Sequence, residues 1–159
     1  MQVAKHRKAK KIQEALGPDF TVLEFDQPTA SATQAATAIG CTVAQIAKSL
    51  VFADASGGPI LVIVSGANRV DETKVGQILG TTIHRADADF VKSATGFSIG
   101  GVPPVGHTTR LSVVLDQALR DFDEIWAAGG TPNAVFKLTP AQLKQLTGGI
   151  YCDVRSINI

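Results

Sequence analysis

The segment from Gly100 to His107 restricts the fold more than any other part of the sequence. It contains Pro103 and Pro104, and four glycines lie in it or just before it, at positions 96, 100, 101 and 106. Two consecutive prolines fix φ and remove two N–H donors, and glycine permits backbone conformations closed to other residues. A rigid, shaped loop is therefore predicted. One interpretation is a tight surface turn. The other is a cavity wall in which the N–H groups of Gly100, Gly101 and Val102 hold a carbonyl oxygen or an oxyanion.

Lys48 is the second unusual residue, because it stands between two apolar segments. We predict a short helix over residues 43–47 and an apolar strand, Leu50–Phe52, directly after the lysine. A lysine at such a junction either extends its ammonium to water along apolar surface or directs a cation into a pocket.

The order of the predicted elements indicates an α+β, or mixed α/β, fold. Seven or eight short strands are interleaved with helices, and no interdomain linker is visible. We predict a single domain over residues 1–159, with a mixed, mostly antiparallel twisted sheet or partial barrel flanked by helices. Its first helix, over residues 4–16, is the most basic stretch of the chain. This helix presents either a solvated face or a docking surface for phosphates.

Composition limits the classes of function. The net charge of +1 excludes attraction of nucleic acid by the whole surface, so any such binding requires a local patch. The two cysteines, Cys41 and Cys152, have no CxxC spacing and are expected to be reduced. No apolar run is long enough to span a bilayer and no secretory signal is visible, so a soluble, cytoplasmic protein is expected.

Most familiar catalytic and metal-binding motifs are missing from the sequence. It has no GxxxxGK[ST], GxSxG or HExxH motif, and its three histidines are scattered. We therefore predict neither a metal site nor a cofactor. Ser65 and His107 both lie in predicted loops, which leaves open an ester hydrolase that acts on small molecules.

Three segments together resemble the YbaK/prolyl-tRNA synthetase-associated domain family. They are residues 43–52 (VAQIAKSLVF), residues 61–71 (LVIVSGANRVD) and residues 100–107 (GGVPPVGH). The likeness extends over roughly residues 20–155 and includes a GxxxP loop, Gly100–Pro104. It implies a mixed-sheet fold with a pocket between the Lys48 strand and this loop. It also implies a freestanding hydrolase that removes a wrong amino acid from a tRNA, with the tRNA acceptor end as partner and prolyl-tRNA synthetase as a candidate partner.

The resemblance also assigns residues by matching position. Lys48 matches the functional lysine of the family, and the loop around the scissile ester contains Gly100, Gly101, Val102 and Pro104. His107 is expected to shape this loop. Weaker candidates for lining the pocket are Ser65, Asn68, Gly129 and Gly130. The amino acid that is removed stays open, since the chain continues after Gly130 as Thr131-Pro132-Asn133.

The sequence contains no obvious general base, and this shapes the predicted mechanism. We expect the Gly101 N–H above all to hold the ester carbonyl, and Lys48 to hold the terminal ribose or phosphate or to orient the water. The ribose 2′-hydroxyl would then activate the water. A non-catalytic module that binds tRNA or a synthetase is the alternative from another class.

Overall fold

The computed structural model describes residues 1–29 and 31–157. Within these residues the strands are β1 (Gln2–Val3), β2 (Val22–Glu24), β3 (Ile46–Asp54), β4 (Pro59–Ser65), β5 (Ile83–Arg85), β6 (Ser112–Asp116), β7 (Ile125–Ala128), β8 (Ala134–Leu138) and β9 (Ile150–Cys152). The α-helices are α1 (Arg7–Leu16), α2 (Ala32–Ile39), α3 (Glu72–Leu79), α4 (Ala88–Thr95) and α5 (Pro140–Thr147). Two 3₁₀ turns cover Val43–Gln45 and Gln117–Asp121.

The strands form one mixed sheet in the order β1-β2-β8-β7-β3-β4-β6-β9, and β5 pairs with the far end of β3. The sheet contains both antiparallel and parallel pairs, and the antiparallel pairs are the majority among the described strands. The predicted mixed α/β class with a mostly antiparallel sheet is therefore confirmed. The β3–β4 hairpin at its centre turns at residues 55–58, as the Ser-Gly-Gly-Pro sequence predicts.

Hydrophobic cores lie on both faces of the sheet, which explains why β4 is buried along nearly its whole length. The larger core packs α1, through Ile12, against side chains such as Leu61, Phe136 and Val102. The smaller core contains Phe52, Val62 and Val75 of α3. A continuous apolar run such as residues 60–64 is typical of a strand covered on both faces. None of the described helices is long and apolar enough to cross a membrane.

Helix boundaries follow the capping residues in the sequence. Asp71, Asp87 and Thr139 each accept a backbone N–H at the start of α3, α4 and α5. The predicted helix over residues 43–47 is wrong, however. Only residues 43–45 form a 3₁₀ turn, and β3 begins at Ile46, because Ile46 and Ala47 pair with β7 and Ala47 also pairs with β4. Lys48 is therefore the third residue of a strand and not a junction residue.

The sheet is open on one side of β3, and this opening places the candidate site. β7 pairs with β3 only at Ile46 and Ala47, and β5 pairs with β3 only from Phe52 onwards. Between them, residues 48–50 pair with β4 alone among the described strands. Strand edges that carry no partner expose backbone and side chains to a ligand.

Candidate active site

A cleft of about 620 Å³, including its open mouth, occupies the gap beside β3. Its floor and walls are mainly apolar and small, with Ala32, Ala35, Ile46, Ala47, Trp126, Ala127, Ala134 and Val135. Hydroxyl and cationic groups come from Thr29, Ser31, Lys48 and Ser49, and the Gly-Pro loop contributes Gly100 and Val102. The described lining contains no Asp, Glu or His. Lys48 of the first half of the chain and the Gly-Pro loop of the second half thus line the same cleft.

Lys48 is half-buried in this cleft and forms no ion pair with any residue that the structure describes. Burial lowers the pKa of its ammonium, and repulsion from Arg85 and Arg69 lowers that pKa further. A half-buried cation without a carboxylate partner is costly to the fold. An anionic or electron-rich ligand at this position would offset that cost.

This arrangement predicts a stability effect that depends on pH. A lysine whose folded-state pKa lies below 10.5 destabilises the fold while it is protonated, and the penalty is relieved as pH rises through the lowered pKa towards 10.5. We expect Lys48→Met to raise the free energy of unfolding at pH 7 and to lose this advantage as the pH approaches 10.5. Urea titrations of both proteins between pH 7 and pH 10 check this, and an advantage that grows with pH would contradict it.

The Gly-Pro loop contains two backbone amides that donate no hydrogen bond within the described part of the chain. The N–H groups of Gly100 and Val102 form no hydrogen bond with any described residue. Val102 is only 3% exposed, and buried amides are almost always paired in folded proteins. Both residues line the cleft.

The Gly101 N–H does not fit the oxyanion role predicted for it. It donates to the Ser98 carbonyl at 3.0 Å, and Gly101 does not line the cleft. Its importance in the structure is spatial: a Cβ at this position would lie 2.9 Å from the backbone of Thr131. Gly101 therefore lets the Gly-Pro loop pack directly on the loop after β7.

His107 and Pro104 support the loop from outside the cleft. The His107 ring Nε2 is 2.6 Å from the Pro103 carbonyl oxygen, and the ring is half-buried. Burial lowers the pKa of His107, although the Pro103 carbonyl opposes this. Pro104 is buried and contributes no surface to the cleft. The contact between His107 and Pro103 closes the turn that the two prolines form.

Four further candidates are not brought into the cleft. Ser65 is 1% exposed; its hydroxyl donates to the Ala44 carbonyl at 2.7 Å, and its N–H donates to Asp116 at 3.0 Å. The Asn68 amide also donates to Asp116, at 3.0 Å. Gly129 and Gly130 are buried behind the cleft, whereas their neighbours Ala128 and Pro132 line it. Ser65 and His107 lie at separate places, and Ser65 is too enclosed for a nucleophile.

Sequence reasoning missed Ser49. Its Oγ is buried and is the one such side-chain atom, in the part of the chain that the structure describes, without a hydrogen-bond partner. Ser49 lines the cleft beside Lys48. Neighbouring side chains of a strand point to opposite faces of the sheet. From the sequence alone, Ser49 and Lys48 would therefore be placed on different faces. They share the cleft because the sheet is open at this edge.

Comparison with known proteins identifies the family. The model of the aminoacyl-tRNA editing domain matches residues 26–146, and the chain therefore belongs to this family. A solved structure described as "a putative trans-editing enzyme for prolyl tRNA synthetase" has 42% sequence identity and a TM-score of 0.91, covering 96% of this chain and 99% of that one. The resemblance inferred from the three motifs is confirmed.

Two curated relatives extend this similarity. The uncharacterized protein YwhH of Bacillus subtilis (strain 168) is 34% identical over 134 residues, 84% of this chain and 85% of YwhH. EbsC of Enterococcus faecalis (strain ATCC 700802 / V583), named a "Putative Cys-tRNA(Pro)/Cys-tRNA(Cys) deacylase", is 23% identical over 128 residues, 78% of this chain and 76% of EbsC.

Proposed function

We propose that this protein is a trans-editing hydrolase that cleaves the ester bond of a mischarged aminoacyl-tRNA. The observation that carries the proposal is the shared cleft. It is lined by Lys48, which forms no described salt bridge, and by Gly100 and Val102, whose N–H groups donate to no described residue; the described lining has no carboxylate or imidazole. Membership of the editing-domain family supports it. The names of two relatives also support it: one is called a "Putative Cys-tRNA(Pro)/Cys-tRNA(Cys) deacylase" and the other "a putative trans-editing enzyme for prolyl tRNA synthetase".

Each group has a role that fits its position in the cleft. The N–H groups of Gly100 and Val102 hold the ester carbonyl and the oxyanion that develops on it. Lys48 holds the 3′-terminal phosphate or ribose of the tRNA, and thereby positions the ester against those amides. Loss of one good oxyanion donor typically costs about 3 kcal/mol in the barrier.

The water is activated by the substrate itself. An aminoacyl ester is already reactive because its α-ammonium group withdraws electrons, so positioning and oxyanion stabilisation supply most of what the reaction needs. The described cleft lining offers no side-chain base. The 2′-hydroxyl next to the ester accepts a proton from the attacking water and passes its own proton to the 3′-oxygen. The bond between that oxygen and the carbonyl carbon then breaks, which releases the free amino acid and restores the 3′-hydroxyl of the tRNA.

The lining selects a small amino acid. Ala32, Ala35, Ala47 and Ala127 surround the space beside the loop, and they leave room for side chains such as those of Ala, Cys or Ser. One methylene is worth only about 1–3 kcal/mol in such a pocket, so size alone gives modest discrimination. Rejection of proline, which would protect correctly charged tRNA(Pro), must come from the shape of its ring.

Ser49 is proposed to accept a hydrogen bond from the α-ammonium group of the substrate. We expect Ser49→Ala to lower kcat/KM about tenfold or more, because a hydrogen bond to a charged group contributes about 1.5–3 kcal/mol. The same change should leave the melting temperature unchanged or raise it, because it removes an unpaired buried hydroxyl. Deacylation kinetics and thermal melts measure both effects. A lower melting temperature with unchanged kinetics would show a purely structural serine.

A panel of mischarged tRNAs tests the proposed function. The protein is incubated with tRNA(Pro) carrying Ala, Cys, Ser or Pro, and with the same amino acids on other tRNAs. Release of a small amino acid with sparing of Pro-tRNA(Pro) supports the proposal and names the substrate. Binding without release would instead support a non-catalytic tRNA-binding module.

A further inference from the structure

The basic charge of this protein is concentrated beside the candidate cleft. Residues 5–11 contain five of the fifteen Lys and Arg residues, and the other ten are outnumbered by fourteen acidic residues. The rest of the chain is therefore net acidic. A molecule with a net charge of only +1 thus carries a local cationic region.

We propose that Arg7, Lys8 and Lys11 of α1, together with Lys92 of α4, bind the phosphate backbone of the acceptor stem of the tRNA whose 3′ end occupies the cleft. These four residues are called the basic surface below. The proposal rests on the proposed function, because it assumes that an aminoacyl-tRNA is the ligand. It adds the surface that would recognise the tRNA body, away from the reacting ester.

The packing of α1 orients the basic surface. Ala9, Ile12 and Leu16 are buried in the larger core, which turns Arg7 and Lys11 outward, one helical turn apart on the same side. Two acidic residues lie near this side of the helix, and in the described part of the chain neither forms a salt bridge with Arg7 or Lys11. Glu14 lines an exposed groove together with Arg7 and Lys11. Glu24 accepts the backbone N–H groups of Lys5 and His6, at 2.9 and 2.7 Å, at the start of the helix.

Lys8 and Lys92 bring two like charges together without a counter-ion. Contact with the Lys92 ammonium lowers the pKa of Lys8, with smaller contributions from burial and from Arg7. The Lys8 Nζ also lies 3.4 Å from the Gly96 carbonyl and 5.8 Å from the centre of the Phe97 ring. In the described part of the chain, the salt bridges involve Lys74 and Lys137 and none of these four residues. A phosphate placed between the two ammonium groups would turn their repulsion into attraction.

The basic surface is continuous with the cleft. Arg7 and Lys8 line a groove together with Gly101 and Pro132, and Pro132 also forms part of the cleft wall. Arg7, Lys8 and Lys11 line a second groove that runs along Gly96 and Phe97 at the base of the Gly-Pro loop. A nucleic acid whose end enters the cleft over Pro132 therefore passes along α1. A double-stranded RNA stem is recognised largely through its backbone, which suits lysine and arginine side chains.

The test compares two triple variants that lose the same charge. One is Arg7→Gln, Lys8→Gln and Lys11→Gln; the control is Arg120→Gln, Lys137→Gln and Lys144→Gln, none of which lines the cleft or the two grooves. Binding of uncharged tRNA is measured by fluorescence anisotropy over a series of salt concentrations. We expect the first variant to bind at least tenfold more weakly and its slope of log Kd against log salt to fall by about 2–3, whereas the control matches wild type.

Deacylation separates the failure of this proposal from that of the proposed function. For the first variant, we expect the ratio of kcat/KM on full-length mischarged tRNA to that on a mischarged CCA trinucleotide to fall about tenfold. If wild type deacylates but both triple variants give the same tRNA affinity and the same kcat/KM ratio, the proposed role of the basic surface is wrong. If wild type deacylates no mischarged tRNA and yet only the first variant loses tRNA binding, the basic surface stands and the proposed hydrolase fails. Thermal melts of each variant exclude unfolding as the cause.

Discussion

Replacing Lys48 with alanine is expected to reduce deacylation of the mischarged tRNA by about 100-fold or more in kcat/KM, equivalent to about 3 kcal/mol of transition-state stabilisation. Lys48 supplies the cationic side chain of the described cleft lining, and no described carboxylate pairs with it. Without it, nothing in that lining binds the negative charge at the tRNA terminus. Single-turnover deacylation measures the effect independently of product release.

Lys48→Arg and Lys48→Met are the matched controls for this experiment. Arginine keeps the charge but replaces a compact ammonium by a planar fork, so partial activity indicates that charge matters and geometry tunes it. Methionine keeps much of the length without charge and is expected to be as inactive as alanine while the fold is retained. If the methionine variant deacylates as fast as wild type, Lys48 has no role in the reaction and the proposed site is wrong.

The pairing of Lys48 with the Gly-Pro loop could be anticipated from the sequence, but its local setting could not. Two prolines and several glycines define a loop wherever they occur, so residues 100–107 were predictable from local chemistry. The secondary structure of the residues before Lys48 was harder to predict, because a short apolar run fits a helix or a strand equally well. Ile46 belongs to a strand because it pairs with β7. This contact joins residues far apart in the chain, so local sequence does not reveal it.

The amide groups show where sequence reasoning about a site stops. Of three consecutive N–H groups in the loop, that of Gly101 was expected above all to hold the ester carbonyl. It donates instead to the Ser98 carbonyl, while those of Gly100 and Val102 donate to no described residue. The difference depends on how the turn closes, with Gly100 at a φ of +90°. Ser65 failed as a candidate for a related reason: a hydroxyl at a strand end was expected to face a ligand, but here it binds the Ala44 carbonyl.

A tRNA that ends in 2′-deoxyadenosine tests the other large effect. The described cleft lining has no carboxylate or imidazole, so the proposed mechanism assigns proton removal from the water to the 2′-hydroxyl. General-base catalysis typically contributes about 100- to 10,000-fold. We expect the deoxy substrate to be deacylated at least about 100-fold more slowly, while its affinity, measured by competition with uncharged tRNA, changes little.

The spontaneous rate must be subtracted, because the 2′-hydroxyl also assists uncatalysed hydrolysis of the ester. The informative quantity is therefore the ratio of catalysed to uncatalysed rate for each substrate, since this ratio isolates what the protein gains from the hydroxyl. A similar ratio for both substrates would mean that the protein activates water without the substrate. Lys48 would then be the group to examine, since it is the one charged side chain of the described lining and burial lowers the pKa of its ammonium.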